Sequence, residues 1–228
     1  MSTSAWVEAT VAALEPLACP SNADAMQAYM KDVAPFLGLK TPDRRRAQRA
    51  AWAALPALEA SGLARVSRVL WARPEREYQY AACDLIGRHR RMLPASFLED
   101  PVAGLVTSKP WWDTVDTLGS NAITPLVARY PSLVEVMWQW WDSDDRWLIR
   151  AAIQHQRGRV PDTDLDRLLT MCDRYAADRE FFIAKAIGWA LRDVTAWDAP
   201  AVQRFVDEHP DLSAVARREA IRGLARSG

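Results

Sequence analysis

Apolar and polar positions along this chain follow helical rather than strand patterns, and no segment has the pattern expected of a β-strand. Proline and acidic residues mark the predicted helix starts, at Thr41-Pro42-Asp43, Arg73-Pro74-Glu75, Ser108-Lys109-Pro110, Asp144-Asp145 and Asp178-Arg179-Glu180. Tyr130-Pro131 and His209-Pro210 are predicted breaks. We therefore predict about twelve short helices joined by short turns, within a single domain over residues 1–228.

A degenerate internal repeat appears when similar tripeptides are aligned. The period is close to 35 residues, and the aligned tripeptides are Arg45-Arg46-Ala47, Tyr80-Ala81-Ala82, Val115-Asp116-Thr117, Arg150-Ala151-Ala152, Lys185-Ala186-Ile187 and Glu219-Ala220-Ile221. Such a period in a helical chain is typical of a helix-pair solenoid. The predicted fold is therefore all-α, a curved solenoid of antiparallel helix pairs like HEAT repeats. The small residue at the second tripeptide position predicts close helix packing.

Composition limits the function classes only loosely. Hydrophobic residues make up 50% of the chain and the formal net charge is +0, as in an ordinary globular protein. Residues 40–91, however, hold 12 Lys or Arg against 5 Asp or Glu, and 25 of the 29 basic residues of the chain are Arg. This basic region suits phosphate contacts, although solvated helix faces and coding bias would also account for it.

Location and small-molecule chemistry are also constrained. No apolar run approaches the ~20 residues that cross a bilayer, and the N-terminus lacks the basic segment of a signal peptide. Three widely separated cysteines suggest a reducing cytoplasm. The three histidines show no metal-ligand spacing, and no nucleotide-binding or nucleophile-elbow motif is present. We expect a cytoplasmic protein without metal or cofactor.

Asp116 is the first candidate for chemistry. It occupies the tripeptide position at which the other repeats place Ala81, Ala151, Ala186 and Ala220. A carboxylate is expensive to bury unpaired, so Asp116 should face a cavity or groove. A register slip that leaves it on a solvated face is the alternative.

Two tryptophans accompany this carboxylate. Trp112 is four residues before Asp116, so both lie on one face of one helix, where an indole and a carboxylate make a site for a cation. Two of its repeat equivalents are aromatic, so a core role is equally open. The equivalents of Trp189 are small or polar, namely Asp84, Gly119, Gln154 and Gly223, and this predicts a wet face on which the indole is a stacking platform. Basic residues recur at the first tripeptide position, as Arg45, Arg150 and Lys185, and predict a phosphate-binding track.

Five segments resemble the AlkD-type DNA alkylation repair glycosylases. They are AYMKDVAPFLGLKTPDRR (28–45), LWARPEREYQYAACDLI (70–86), SKPWWDTVDTL (108–118), SDDRWLIRAAIQHQ (143–156) and DREFFIAKAIGWALR (178–192). The resemblance runs in the same order from about residue 20 to 225 with very few gaps. It implies a curved array of HEAT-like helix pairs, in agreement with the repeat.

The resemblance also implies an activity and its residues. Members of the family hydrolyse the N-glycosidic bond of cationic alkylated purines, such as 3-methyladenine and 7-methylguanine. They act on duplex DNA without base flipping, and the family also includes enzymes specialised for bulky adducts. Catalytic residues of the family match Trp112, Asp116 and Trp189, and DNA-contacting residues match Arg150 and Tyr29. We therefore expect a monomeric glycosylase acting on double-stranded DNA with alkylated bases. The alternatives are a non-catalytic HEAT-like adaptor for DNA or protein, and a nonspecific DNA-binding protein, which the neutral total charge disfavours.

Overall fold

The computed structural model describes residues 3–159 and 162–227, which are helical and contain no strand. The chain divides into two compact units, Met1–Ala122 and Ile123–Gly228. The predicted all-α class is thus confirmed, whereas the assignment of one undivided domain stays a prediction.

Seven α-helices are described in the first unit: α1 (Thr3–Leu14), α2 (Pro20–Tyr29), α3 (Thr41–Trp52), α4 (Ala60–Ala72), α5 (Arg76–His89), α6 (Ala103–Thr107) and α7 (Trp112–Leu118). The described part of the second unit has seven more: α8 (Thr124–Arg129), α9 (Val134–Trp141), α10 (Arg146–Gln154), α11 (Leu165–Asp173), α12 (Phe181–Val194), α13 (Ala199–Glu208) and α14 (Ala214–Ser227). The described residues thus contain fourteen α-helices rather than the predicted twelve or so. The difference comes from α6 and α8, which are short helices of five and six residues.

Helix ends follow the local signals. Helix α3 begins at Thr41 with a proline in its first turn. The Asp145 carboxylate caps α10 by accepting bonds from the backbone N–H groups of its second and third residues, at 2.8 and 3.1 Å. Glu180 caps α12 in the same way, at 2.7 and 2.9 Å. Helices α8 and α13 end at Arg129 and Glu208, just before the predicted breaks.

The 35-residue repeat is visible inside each unit. The tripeptide helices contact one another in chain order, α3 with α5 and α5 with α7 in the first unit, and α10 with α12 and α12 with α14 in the second. Helices α1, α4 and α6 flank the first row, and α9, α11 and α13 flank the second. Each unit therefore consists of two helical layers, and the tripeptide helices form one of them.

Small residues allow these helices to approach closely. Ala81, Ala151, Ala186 and Ala220 are all buried, with exposed fractions between 0% and 4%, which confirms the predicted close packing at the second tripeptide position. A Cβ added to Gly188 on α12 would lie 2.7 Å from the Glu219 Cβ atom. No helix in the described residues is long and apolar enough to cross a membrane.

Candidate functional site

A buried arginine holds the first turn of α7, the helix that carries Trp112 and Asp116. Arg76 on α5 is fully buried, and its Nη1 donates to the Lys109 carbonyl oxygen at 2.8 Å. Its Nη2 and Nε donate to the two Asp113 carboxylate oxygens at 2.6 and 3.1 Å. Burial disfavours the guanidinium charge, but the hydrogen bonds and charge of Asp113 hold the Arg76 pKa above its usual value. The start of α7 is therefore fixed to α5 by a two-pronged ion pair.

Another buried charge holds the segment between α2 and α3. The Glu77 carboxylate, next to Arg76 on α5, accepts backbone N–H bonds from Leu37, Gly38 and Leu39 at 2.9, 2.9 and 3.0 Å. Gly38 has a φ of +89°, and a Cβ there would collide with the Cys19 carbonyl group, so the close approach requires glycine. Helix α5 thus anchors both the loop before α3 and the start of α7.

The two segments held by α5 border a cavity of about 630 Å³ in the first unit. Helices α2, α3, α5 and α7 line it with residues that include Asn22, Met26, Tyr29, Arg44, Arg45, Tyr80, Asp84, Trp112, Asp113, Asp116 and Thr117. Four of the residues singled out from the sequence therefore line one cavity: Tyr29, Arg45, Trp112 and Asp116. Tyr29 is 72% exposed, whereas Trp112 and Asp116 are half-buried. The Asp116 side chain reaches the cavity that its place in the repeat predicts.

The other charged groups of the cavity are paired in a defined way. Asp84 accepts from Arg44 at 2.6 Å and lies 3.2 Å from an Arg45 nitrogen. The Arg44 guanidinium lies 5.1 Å from the Tyr80 ring centroid. The Tyr80 hydroxyl donates to Asp113, and burial together with the Asp113 charge raises the Tyr80 pKa. Tyr80 is therefore a neutral hydrogen-bond donor, and Asp113 is held by both Tyr80 and Arg76.

This arrangement suits a cationic ligand at one point of the cavity wall. Trp112 and Asp116 are one turn apart on α7, so the carboxylate and the indole are presented on the same face of the helix. A carboxylate combined with an aromatic face attracts positive charge in a partly desolvated site. Arg45, whose side chain is 49% exposed, by contrast suits the negative phosphates that flank a nucleoside.

The remaining sequence-predicted residues lie in the second unit, where cations surround Trp189. The centres of the charged groups of Arg150, Arg157, Lys185 and Arg192 lie 5.4, 4.9, 5.9 and 5.9 Å from the indole ring. These four cations and Trp189 make up the Trp189 cluster.

A buried glutamate and a backbone carbonyl oxygen bind three of the cations in the Trp189 cluster. Glu219, 2% exposed, bonds to Lys185 and to Arg192, each at 2.8 Å. Burial opposes the charge of Glu219, but its hydrogen bond with Lys185 and the nearby cations lower its pKa below the usual value. Arg150 is almost wholly buried and donates to the Phe182 carbonyl oxygen at 2.6 Å. The DNA-binding roles of Arg150 and Lys185 stay predictions.

The structure corrects one interpretation of the repeat in part, because Asp84, Gly119 and Trp189 are partly exposed while the other two equivalents are not. The small and polar equivalents of Trp189 were expected on a wet face, but Gln154 and Gly223 are buried. A Cβ added to Gly223 would lie 2.5 Å from the Thr195 Oγ1 atom and 3.0 Å from an Arg192 side-chain carbon. Gly223 is therefore small because other side chains pack on it, whereas Gly119 has nothing within 4 Å of an added Cβ.

Sequence reasoning missed several residues of these sites. Arg76 and Asp113 pair across 37 positions, and no local pattern marks them. Tyr80 stands at the first tripeptide position, where the repeat could have singled it out. Arg157 and Arg192 could not be assigned to the Trp189 cluster because their side-chain placement depends on packing.

Rows of stacked helices with a repeat near 35 residues define the chain as a helical repeat protein. Residues 10–224 match the family described as "DNA alkylation repair enzyme", and the chain belongs to that family. Among solved structures it is similar to a predicted DNA alkylation repair enzyme from Enterococcus faecalis, with 27% identity, a TM-score of 0.82, and coverage of 91% of this chain and 96% of the other. No curated protein shows a significant match.

Proposed function

We propose that this protein is a DNA glycosylase that hydrolyses the N-glycosidic bond of cationic alkylated purines in duplex DNA. The observation that carries the proposal is the placement of Asp116 and Trp112 in the lining of one cavity that also has Tyr29 and Arg45 in its wall. Membership of the DNA alkylation repair family supports a role in alkylation repair. The proposed partner is double-stranded DNA with alkylated bases, bound by a single copy of the chain.

The proposed reaction needs a negative group more than an acid. A purine alkylated at N3 or N7 already carries a positive charge, so it leaves as a neutral base when the bond to C1′ breaks. The positive charge that develops on the deoxyribose would be stabilised by the Asp116 carboxylate, which would also orient the water that attacks C1′. That water then loses a proton to the solvent and completes the hydrolysis.

The indoles would act on the same charge. Trp112 is presented one turn before Asp116 and would contact the sugar edge, and such a contact contributes roughly 0.5–2 kcal/mol depending on desolvation. Trp189 is proposed as the second indole in contact with the lesion-bearing nucleotide, with Arg150 and Lys185 close to it as phosphate contacts. The proposal includes excision without base flipping, as the family resemblance implies.

The test is release of 7-methylguanine and 3-methyladenine from methylated duplex DNA, measured under single-turnover conditions with excess enzyme. Asp116→Asn keeps the size of the side chain and removes its charge, so we expect retained DNA binding and a rate lower by about 10²–10³. Asp100→Asn is the matched control, because this carboxylate is 75% exposed, pairs with Arg68 and is absent from the cavity lining.

Substrate charge supplies a second arm of the same experiment. Uracil and hypoxanthine are neutral in DNA, so they would leave as anions unless an acid protonates them. The proposed site supplies a negative charge rather than an acid, and we therefore expect no measurable excision of either. Excision of uracil at a rate near that of 7-methylguanine would exclude the mechanism. DNA binding without release of any base by the wild-type protein would favour the non-catalytic adaptor instead.

A further inference from the structure

A basic groove adjoins the cavity in the first unit. It has a volume of about 330 Å³ and is lined by Arg45, Gln48, Arg49, Trp52, Asp84 and Arg88. We propose that this groove binds the phosphodiester backbone of the DNA strand that enters the cavity, with Arg49 and Arg88 as its contact residues. The inference rests on the proposed function, because it takes the cavity as the place of the damaged nucleotide.

Charge balance is the first argument. The groove has one carboxylate in its lining, Asp84, and this group already lies 2.6 Å from Arg44 and 3.2 Å from Arg45. Arg49 and Arg88 are exposed, and no carboxylate within residues 3–159 and 162–227 lies within 4.0 Å of either guanidinium. The groove therefore carries an excess of positive charge, and a polyanion is the ligand that compensates it.

Position is the second argument. Arg45 and Asp84 line both the groove and the cavity, so the two adjoin at this ion pair. Arg45 and Arg49 are one turn apart on α3, about 6 Å along the helix axis. Successive phosphates of one strand advance by about 3.4 Å along the DNA axis, so a strand leaving the cavity can place nearby phosphates along this turn.

The other polar side chains of the groove, Gln48 and Trp52, already have partners within the protein. Gln48 accepts from Arg44 at 2.7 Å and donates toward Asp84 at 3.4 Å, so its amide is already engaged. The Trp52 indole is buried and donates to Thr10 at 2.9 Å. The donors that remain are the guanidinium groups of Arg49 and Arg88, and a contact of these groups with phosphate oxygens carries no sequence information.

The experiment measures binding of undamaged duplex DNA by the full chain as a function of salt. Arg49→Gln/Arg88→Gln should lower the slope of log K against log salt by about 1.8, because each phosphate contact contributes about 0.9. Arg65→Gln/Arg204→Gln is the matched control, with the same charge change at exposed residues of the flanking helices α4 and α13. The control should leave the slope nearly unchanged.

Single-turnover excision of 7-methylguanine at saturating enzyme separates this inference from the proposed function. The Arg65→Gln/Arg204→Gln control should keep the wild-type rate within about twofold, because neither residue lines the cavity or the groove. A salt slope equal to that of the wild type, or reduced equally by the control variant, would overturn the groove assignment. Failure of the wild type to excise any base would instead overturn the proposed function, while the salt slopes would still report on the groove.

Discussion

Replacing Arg76 by methionine would break the ion pair that fixes the start of α7. The variant keeps an unbranched side chain of similar length but loses every donor. The Asp113 carboxylate, whose side chain is 9% exposed, would keep its bond from Tyr80 but lose its cation. The Lys109 carbonyl oxygen would lose the bond that it accepts from Arg76 at 2.8 Å. A buried charge without its partner is the largest consequence.

Removing one partner of a buried ion pair costs about 3–5 kcal/mol. For a chain of this size, 1 kcal/mol shifts the melting temperature by roughly 2–4 °C, so we expect Tm to fall by roughly 6–20 °C. Asp113 precedes Asp116 by less than one helical turn, so a displaced first turn also moves the proposed catalytic carboxylate. The excision rate of folded Arg76→Met should therefore fall at a temperature well below its Tm.

Calorimetry measures the stability change, and single-turnover release of 7-methylguanine measures the catalytic effect. Arg76→Met/Asp113→Leu removes both charges, and an apolar pair in place of a buried ion pair is often neutral or stabilising. The double variant should therefore recover much of the lost Tm. A loss below about 1 kcal/mol for Arg76→Met, in the range of an exposed ion pair, would refute the reasoning.

Two further predictions concern the second unit. Burial lowers the pKa of His155 from its ordinary value of about 6.5 to about 4. Between these values the unfolded chain binds the proton more tightly, so stability falls as pH falls through that range. His155→Asn should lose this dependence, which amounts to about 1.4 kcal/mol per pH unit, and urea unfolding at pH 7 and about pH 4.5 would detect it. A variant with the wild-type pH dependence would contradict the assignment to this histidine. Gly188→Ala would place a Cβ 2.7 Å from the Glu219 Cβ atom and 3.0 Å from the Ala216 backbone, so we expect a loss of about 1–3 kcal/mol in thermal unfolding. Gly104→Ala is the control, because nothing lies within 4 Å of a Cβ there, and equal losses in both variants would show that helix contact is not the cause.

Local signals determined much of the fold. Helix α3 begins at Thr41 and α10 at Arg146, where proline and a capping acid predict their starts. These predictions succeed because a cap acts within a few residues of its own helix end. The buried Ala81 and Ala186 likewise confirm that the repeat marks helix–helix contacts.

The part of the candidate site that lies on α7 was also predictable, because it depends on the spacing of residues within one helix. Trp112 and Asp116 share a helix face because of their spacing, and their repeat position set Asp116 apart from the alanines of the other repeats. The Trp189 environment was predicted less well. Its repeat equivalents were interpreted as wet, but the size of a residue such as Gly223 reflects a packed neighbour. Residue type alone does not distinguish exposure from close packing.

By itself, the sequence determined the helical class, the period of about 35 residues and the pairing of a carboxylate with an indole on one helix. Tertiary structure decided which distant charges meet: Arg76 with Asp113, and Lys185 with Glu219. The reason is physical, because helix periodicity depends on neighbours along the chain, whereas a buried charge is stable only where stacking brings an opposite charge within hydrogen-bond distance.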